Sequence, residues 1–329
     1  MSRRTIAIVV AGAVVVVVAA VLAVRSLGTT SRYEAPAPAA DAAPAVEAAA
    51  EGPVDAALPP PAARVESVEG AVTIRRAGAD SPVRPGASLE PDDILTTAAD
   101  GRAVVRVDEE TSVVLEAGTA VTWGAISDSL SSVQLDRGFL SASTGEQGGR
   151  VFRVQALDRT ANVEASAGAF DVAGDGEQVA VAASSGEVTV ESGGERVRVG
   201  GGSYTTVRRG ERPRTPQQLP GSIVAEMFWP GDPSAEDGSR LVAERSVVVR
   251  GRLGGGLSGV LTIRNESTGQ TVRVVTRPDG SFDTTLALAE DQDNALVVGG
   301  TAMGGPAIEE QRAVVAQDST PPPLKVRIQ

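Results

Sequence analysis

Between Arg64 and Val207 the apolar residues come in short runs at alternate positions, and Gly, Asp or Pro closes almost every run. Val113 and Leu115 illustrate the spacing. A period of two puts successive side chains on opposite faces of a strand, with one face in a core. No window in this stretch carries the i, i+3, i+4 spacing of an amphipathic helix. The pattern therefore predicts strands, among them Ile94–Thr96, Ala103–Val107, Ser112–Leu115, Ala120–Trp123, Ser131–Leu135, Gly138–Ser143, Ala161–Ala165, Gly168–Val172, Gln178–Ala183 and Glu187–Glu191. Runs this short and this evenly spaced suggest a solenoid-like stack of short β-strands rather than one broad flat sheet.

Two absences exclude most catalytic chemistry. The 329 residues contain no Cys and no His. A thiolate nucleophile, a Ser-His-Asp triad, an imidazole base and a Cys or His zinc site are therefore impossible. Lys325 is the only lysine, and its place in the tail disposes of Ser-Lys chemistry. Paired carboxylates could still support glycan hydrolysis if they stood about 5–9.5 Å apart in a cleft. Nine aromatic residues spread along the chain do not line such a cleft. No residue is assigned a catalytic, cofactor-binding or metal-binding role. The formal charge of −12 argues against a nucleic-acid partner, which requires clustered Lys and Arg.

Three further regions flank or follow the first β region. Ile6–Val24 is an uncharged apolar run preceded by Arg3 and Arg4 and followed by Arg25. At 1.5 Å per residue it reaches roughly 28 Å, about the thickness of a bilayer core. It predicts a transmembrane helix in residues 1–27, with the N-terminus cytoplasmic and the bulk of the chain periplasmic. The alternative is a cleaved signal peptide ending at Val21-Leu22-Ala23 and a secreted product. Residues 28–63, nearly all Ala and Pro, read as a disordered linker stiffened toward polyproline II. The polar stretch Arg208–Leu219 marks a boundary. Beyond it, short runs such as Ser246–Gly251, Gly259–Asn265 and Ser281–Ala287 predict a β-sandwich over 220–329.

Ordered pieces of the first β region carry a family resemblance. They are Gly70-Ala71-Val72, Gly86-Ala87-Ser88-Leu89, Asp93-Ile94-Leu95-Thr96 and Gly101-Arg102-Ala103, then Leu135-Asp136-Arg137-Gly138 and Phe152-Arg153-Val154. Gly168-Ala169-Phe170-Asp171-Val172, Val179-Ala180-Val181 and Gly186-Glu187-Val188-Thr189-Val190 complete the set. In order and spacing, residues 64–212 resemble a FecR-type periplasmic domain. Pro91-Asp92 departs from the family, which usually has a Gly just before the Asp, and Ala169 stands where Thr is common. These residues read as structural: Asp93 and Asp108 cap turns, and the glycines sit where the backbone needs freedom.

The resemblance implies a protein that relays a signal across the inner membrane from an outer-membrane transporter to a sigma factor. Met1–Arg4 is too short for the helical sigma-binding part, so the expectation shifts toward a non-enzymatic interaction, sensor or scaffold module. Its partner would be an envelope protein or glycan, with signal transduction through a separate partner as the alternative. Val247-Val248-Val249-Arg250-Gly251 and Arg277-Pro278-Asp279-Gly280-Ser281-Phe282 make residues 220–329 resemble a bacterial Ig-like module, in which an Asp-Gly turn feeds a strand with one core aromatic. Three local features invite functional readings. Phe228 and Trp229 either stack on a sugar or pack a junction. Asp291-Gln292-Asp293-Asn294 is a tempting Ca²⁺ loop but lacks the Gly and distal Glu of an EF-hand, so it reads as a hairpin turn. Asn265-Glu266-Ser267 is a formal glycosylation sequon.

Overall fold

The structure is a computed structural model and describes residues 63–127, 130–145, 151–233 and 239–319. Its first fourteen strands form one hydrogen-bonded sheet. They are β1 (Arg64–Glu69), β2 (Val72–Arg76), β3 (Ala79–Pro82), β4 (Ile94–Thr97), β5 (Arg102–Arg106), β6 (Ser112–Leu115) and β7 (Ala120–Ile126). Then follow β8 (Leu130–Thr144), β9 (Val151–Ala156), β10 (Ala161–Gly174), β11 (Gln178–Ser192), β12 (Glu195–Gly200), β13 (Ser203–Arg208) and β14 (Gln217–Gln218). All neighbours are antiparallel except β8 and β9.

Three long strands give this sheet its form. The first half of β8 pairs with β7 and β9, whereas its second half pairs with β6 and β10. Likewise β10 pairs with β9 through 161–165 and with the second half of β8 through 168–174. The buried residues change parity at the same places. In β8 they pass from Val133 and Leu135 to Leu140 and Ala142, and in β10 from Val163 and Ala165 to Phe170 and Val172. A one-residue slip turns a strand's side chains to its other face. Here the slip coincides with a bend, so both halves still point into one core. Gly168 and Gly186 lie opposite each other in the β10–β11 register at this corner. Both have positive φ, and a Cβ on Gly168 would stand 2.4 Å from the Ser185 carbonyl oxygen. Only glycine suits such a position.

The last ten strands make two further sheets. They are β15 (Ser222–Ile223), β16 (Ala225–Phe228), β17 (Asp232–Pro233), β18 (Arg240–Val242), β19 (Ser246–Leu253), β20 (Gly259–Asn265), β21 (Thr271–Val275), β22 (Ser281–Ala287), β23 (Asp293–Ala302) and β24 (Ala307–Gln317). One sheet runs β17-β18-β24-β23-β20-β21 with β15 beside β24, and the other runs β16-β19-β22. Alternate residues of both, such as Val249, Leu253, Leu261, Ile263, Leu286 and Leu296, are fully buried in one cluster. Gly280, at φ 83°, turns the chain into β22, whose Phe282 is buried. Phe139, Ala173, Ala180 and Ala182, on the outward side of the first sheet, belong to this same cluster. The two β halves are therefore packed as one body with a common apolar layer between them.

The fold class expected from sequence requires correction. The described residues are strands joined by turns, with one 3-10 turn at Gly254–Gly256. Among them no helix is long and apolar enough to cross a membrane. The physical reason is that their apolar runs are short and closed by polar or turn residues, far below the roughly 20 apolar residues that a spanning helix needs. The transmembrane helix predicted at Ile6–Val24 and all of the linker but Ala63 lie outside the described residues. The solenoid of uniformly short strands is also corrected, because β8, β10 and β11 run 15, 14 and 15 residues. A glycine that ends an alternating run by pattern can bend a strand instead of ending it.

Candidate functional site: the seam between the β halves

Two acids lie at the seam, Glu116 and Asp171. Glu116, just after β6, is 5 % exposed. Its Oε1 accepts hydrogen bonds from Arg102 Nε at 3.2 Å and from Arg273 Nη2 at 3.0 Å. Arg273 Nε lies 2.9 Å from Oε2, close enough for an ion pair but off the hydrogen-bond line. Arg102 comes from β5, beside β6, whereas Arg273 comes from β21 of the second half. One carboxylate thus gathers a guanidinium from each side, both donating to the same oxygen.

Asp171 is the second acid of the seam. It lies on the outward face of β10, between the inward-facing Phe170 and Val172. Its Oδ2 accepts the Gly304 backbone N–H at 2.7 Å. Burial pushes its carboxyl above the usual aspartate range, and the charge of Glu116 adds to that. The Ser141 hydroxyl and the Gly304 amide pull in the opposite direction without prevailing. Gly304 itself sits against the first half: a Cβ there would meet Leu219 Cδ1 at 2.2 Å and Ala182 Cβ at 3.2 Å.

Glu116, Ser141, Asp171, Thr262, Arg273 and Thr301 border one cleft of about 270 Å³. Two acids in a groove is the arrangement a carboxylate-dependent glycan enzyme would need. The partners here point elsewhere. Glu116 is engaged by two arginines, and Asp171 accepts a backbone amide from the other half, so both acids have internal partners that tie the two halves. The aromatic residue at the cleft, Phe139, is 3 % exposed and serves the common core. The arrangement is suited to locking the halves together.

Positions singled out from sequence fall elsewhere. Asp93 is 2 % exposed, accepts two hydrogen bonds from Arg76 at 2.8 and 2.6 Å, and accepts the Glu90 N–H at 2.7 Å. Its carboxyl lies below the usual range: burial would raise it, but the Arg76 and Glu90 hydrogen bonds outweigh that. Asp108 Oδ1 receives the Glu110 and Thr111 amides at 2.9 and 2.7 Å, an Asx turn. Trp229 packs on the second half's core, whereas Phe228 is 58 % exposed. Asn294 is fully buried and accepts hydrogen bonds from the Asn265 amide at 2.8 Å and the Ala289 N–H at 2.7 Å. Asp291 Oδ1 receives the Ser319 amide and hydroxyl. The 291–294 segment is thus a pinned turn. Asn265 has no exposed surface, so its sequon offers no acceptor in the folded chain. Among the described residues no group of three or more acids is placed to hold a metal ion.

Sequence reading missed Glu116 altogether and quoted Asp171 only as part of a motif. The available signal was an acid on the same outward face as Phe139, Ala173, Ala180 and Ala182, whose side chains are apolar.

Comparison with known proteins gives a partial match. No curated protein is similar to the chain. Two crystal structures of a candidate anti-sigma factor from Parabacteroides distasonis ATCC 8503 are similar at 20 and 21 % identity, each with a TM-score of 0.34. The similarity covers 38 % of this chain and 59 % of the other, so the chain spans little more than half the length of those structures. The fibronectin(III)-like modules of Clostridium thermocellum CbhA are similar at 8 % identity and a TM-score of 0.23, over 60 % of this chain and 95 % of theirs. The family match is confined to the first β half and does not reach the second. Residues 93–189 match the family described as FecR protein, and the chain carries a FecR domain.

Proposed function

We propose that the chain is a non-enzymatic FecR-domain module that senses or scaffolds an envelope protein or glycan partner as part of a FecR-type regulatory system. The observation that carries this reading is the FecR match over 93–189, in residues that build the bent sheet from Asp93 to β11. The commitment of Glu116 and Asp171 to internal partners supports a binding role over a hydrolytic one. The apolar run Ile6–Val24 is the support for placing the body outside the cytoplasm. Signal transduction to a sigma factor through a separate protein is the more specific form of the same reading.

Deletion of the gene, followed by transcript profiling, tests the regulatory part. A coherent set of genes sharing one promoter class should change and be restored by the intact gene. An unaltered transcriptome under envelope stress would leave only the scaffold reading. In vivo crosslinking through Phe228 and through an exposed position of β12 should trap a discrete partner. Cleavage of envelope glycans by the purified chain would overturn the proposal.

A further inference from the structure

A second cleft, of about 220 Å³, lies on the same seam and has the opposite charge. On β13 the residues Tyr204, Thr206 and Arg208 alternate outward and line one wall. Gln178 is the registered neighbour of Arg208. Arg214 is held beside this strand by its own backbone, its N–H donating to Thr206 O at 3.0 Å and its carbonyl accepting the Thr205 hydroxyl at 2.6 Å. The second half supplies Arg252, Asp279 and the rim Gly255–Gly256. That rim bears no side chains, and its glycines have φ of 71° and 66°.

The charges in this cleft do not balance. Three arginines face one carboxylate, Asp279. Its Oδ1 is taken by the Ser281 amide and hydroxyl at 2.9 and 2.6 Å, and its Oδ2 lies 3.6 Å from Arg252. Arg208 and Arg214 have no carboxylate partner among the described residues, although the chain carries 42 acidic residues against 30 basic ones. Where acids are in excess, two arginines left unmatched on the lining of one concave site favour an external anion. The cleft is smaller than the roughly 300–1,000 Å³ pockets that enclose drug-sized ligands. Its other lining groups are hydroxyls and amides, with the half-buried Tyr204 ring, which packs on the second half's core and whose hydroxyl donates to Gln217 Oε1 at 2.8 Å, as the aromatic surface.

We infer that this cleft binds an acidic sugar, its carboxylate or phosphate held by Arg208 and Arg214 and its ring resting near Tyr204. The inference goes beyond the FecR-domain reading and is independent of it, since a regulatory module need not bind a sugar and a sugar-binding module need not regulate.

The test is calorimetric titration of the purified full chain, at about 0.15 M salt so that weak surface attraction is screened. The probes are galacturonate, glucose 1-phosphate and neutral galactose. Saturable binding of either acidic sugar, with none of galactose, is expected, and the better of the two identifies carboxylate or phosphate as the preferred anion. Arg208→Gln and Arg214→Gln should each weaken that binding about tenfold, the worth of one charge-assisted hydrogen bond. Arg84→Gln, remote from the cleft, should leave it unchanged and serves as the folded control. Absence of saturable heat with both acidic sugars, equal binding of galactose, or unaltered affinity in both cleft variants would each overturn the inference.

Discussion

Arg273 reaches across the seam to Glu116, 157 residues away in sequence, with Nη2 at 3.0 Å from Oε1 and Nε at 2.9 Å from Oε2. Glu116 is buried, and Arg102 on its other side cannot serve both oxygens. Arg273→Ala should therefore destabilise the body by about 1–3 kcal/mol, the cost of leaving a buried carboxylate short of a partner. The double variant with Glu116→Gln should cost less than the sum of the single changes, since the orphaned charge is gone. Urea unfolding of the four proteins measures this coupling. Strict additivity would show that the pair contributes nothing to the joint.

Asp171 should make the joint weaken as pH rises. Its folded-state carboxyl lies above the ordinary value near 3.8, so the folded chain holds that proton more tightly than the unfolded chain does. The stability from this group is fully present below the unfolded value and is lost as pH climbs through the folded one. Asp171→Asn keeps an oxygen for the Gly304 amide and removes the buried charge. It should match the parent in acid and exceed it at neutral pH. Parallel stability profiles of parent and variant between about pH 4 and pH 8 would refute this assignment.

The corner at Gly168 and Gly186 should tolerate no side chain. Gly168→Ala combines positive φ with a Cβ only 2.4 Å from a backbone carbonyl oxygen. Strain and overpacking together should cost about 2–4 kcal/mol. Gly86→Ala is the comparison, since Gly86 also has positive φ but its Cβ would meet nothing within 4 Å. Its cost should stay near about 1 kcal/mol. Thermal or urea melts that rank the two equally would remove steric crowding from the explanation.

Asp92 stands just before the matched FecR segment, and its φ is 68°. Its N–H donates to Trp123 O at 2.8 Å, which holds the turn into β4 in that conformation. Asp tolerates the left-handed region better than most residues but still bears a cost there. Asp92→Gly should leave the turn intact and raise stability by up to about 1 kcal/mol. A drop in melting temperature would show that the carboxylate has a role beyond the turn.

Much of the first sheet was legible as strand because alternation is a local signal. Val113, Leu115, Val133 and Leu135 were readable as inward residues for that reason. The corners were not, since an alternating run closed by Gly138, Gly168 or Gly186 looks the same whether the chain stops or bends. Nor was the seam. Glu116 and Arg273 meet only after both sheets have formed and packed, and no sequence window contains both. Asn265 was misleading for a related reason: its sequon is local, whereas its burial comes from Asn294 and Ala287. The basic cleft was also invisible, because Arg208 and Arg214 lie in a stretch that reads as a boundary, and Arg252 stands just past a predicted strand far along the chain.

Phe139, Ala173, Ala180 and Ala182 face the second β half, and this bears on how such a chain can change by recombination. A cassette that is gained or lost freely needs a cut surface already suited to water. The cut between these halves would expose an aromatic ring and a row of alanines on one side, and Met303 with its buried neighbours on the other. Gene shuffling that separated them would yield two sticky fragments. The FecR domain and the strands after it are therefore expected to be inherited as a single unit, with drift at Ala180 or Ala182 answered by change at Gly304 or Leu219.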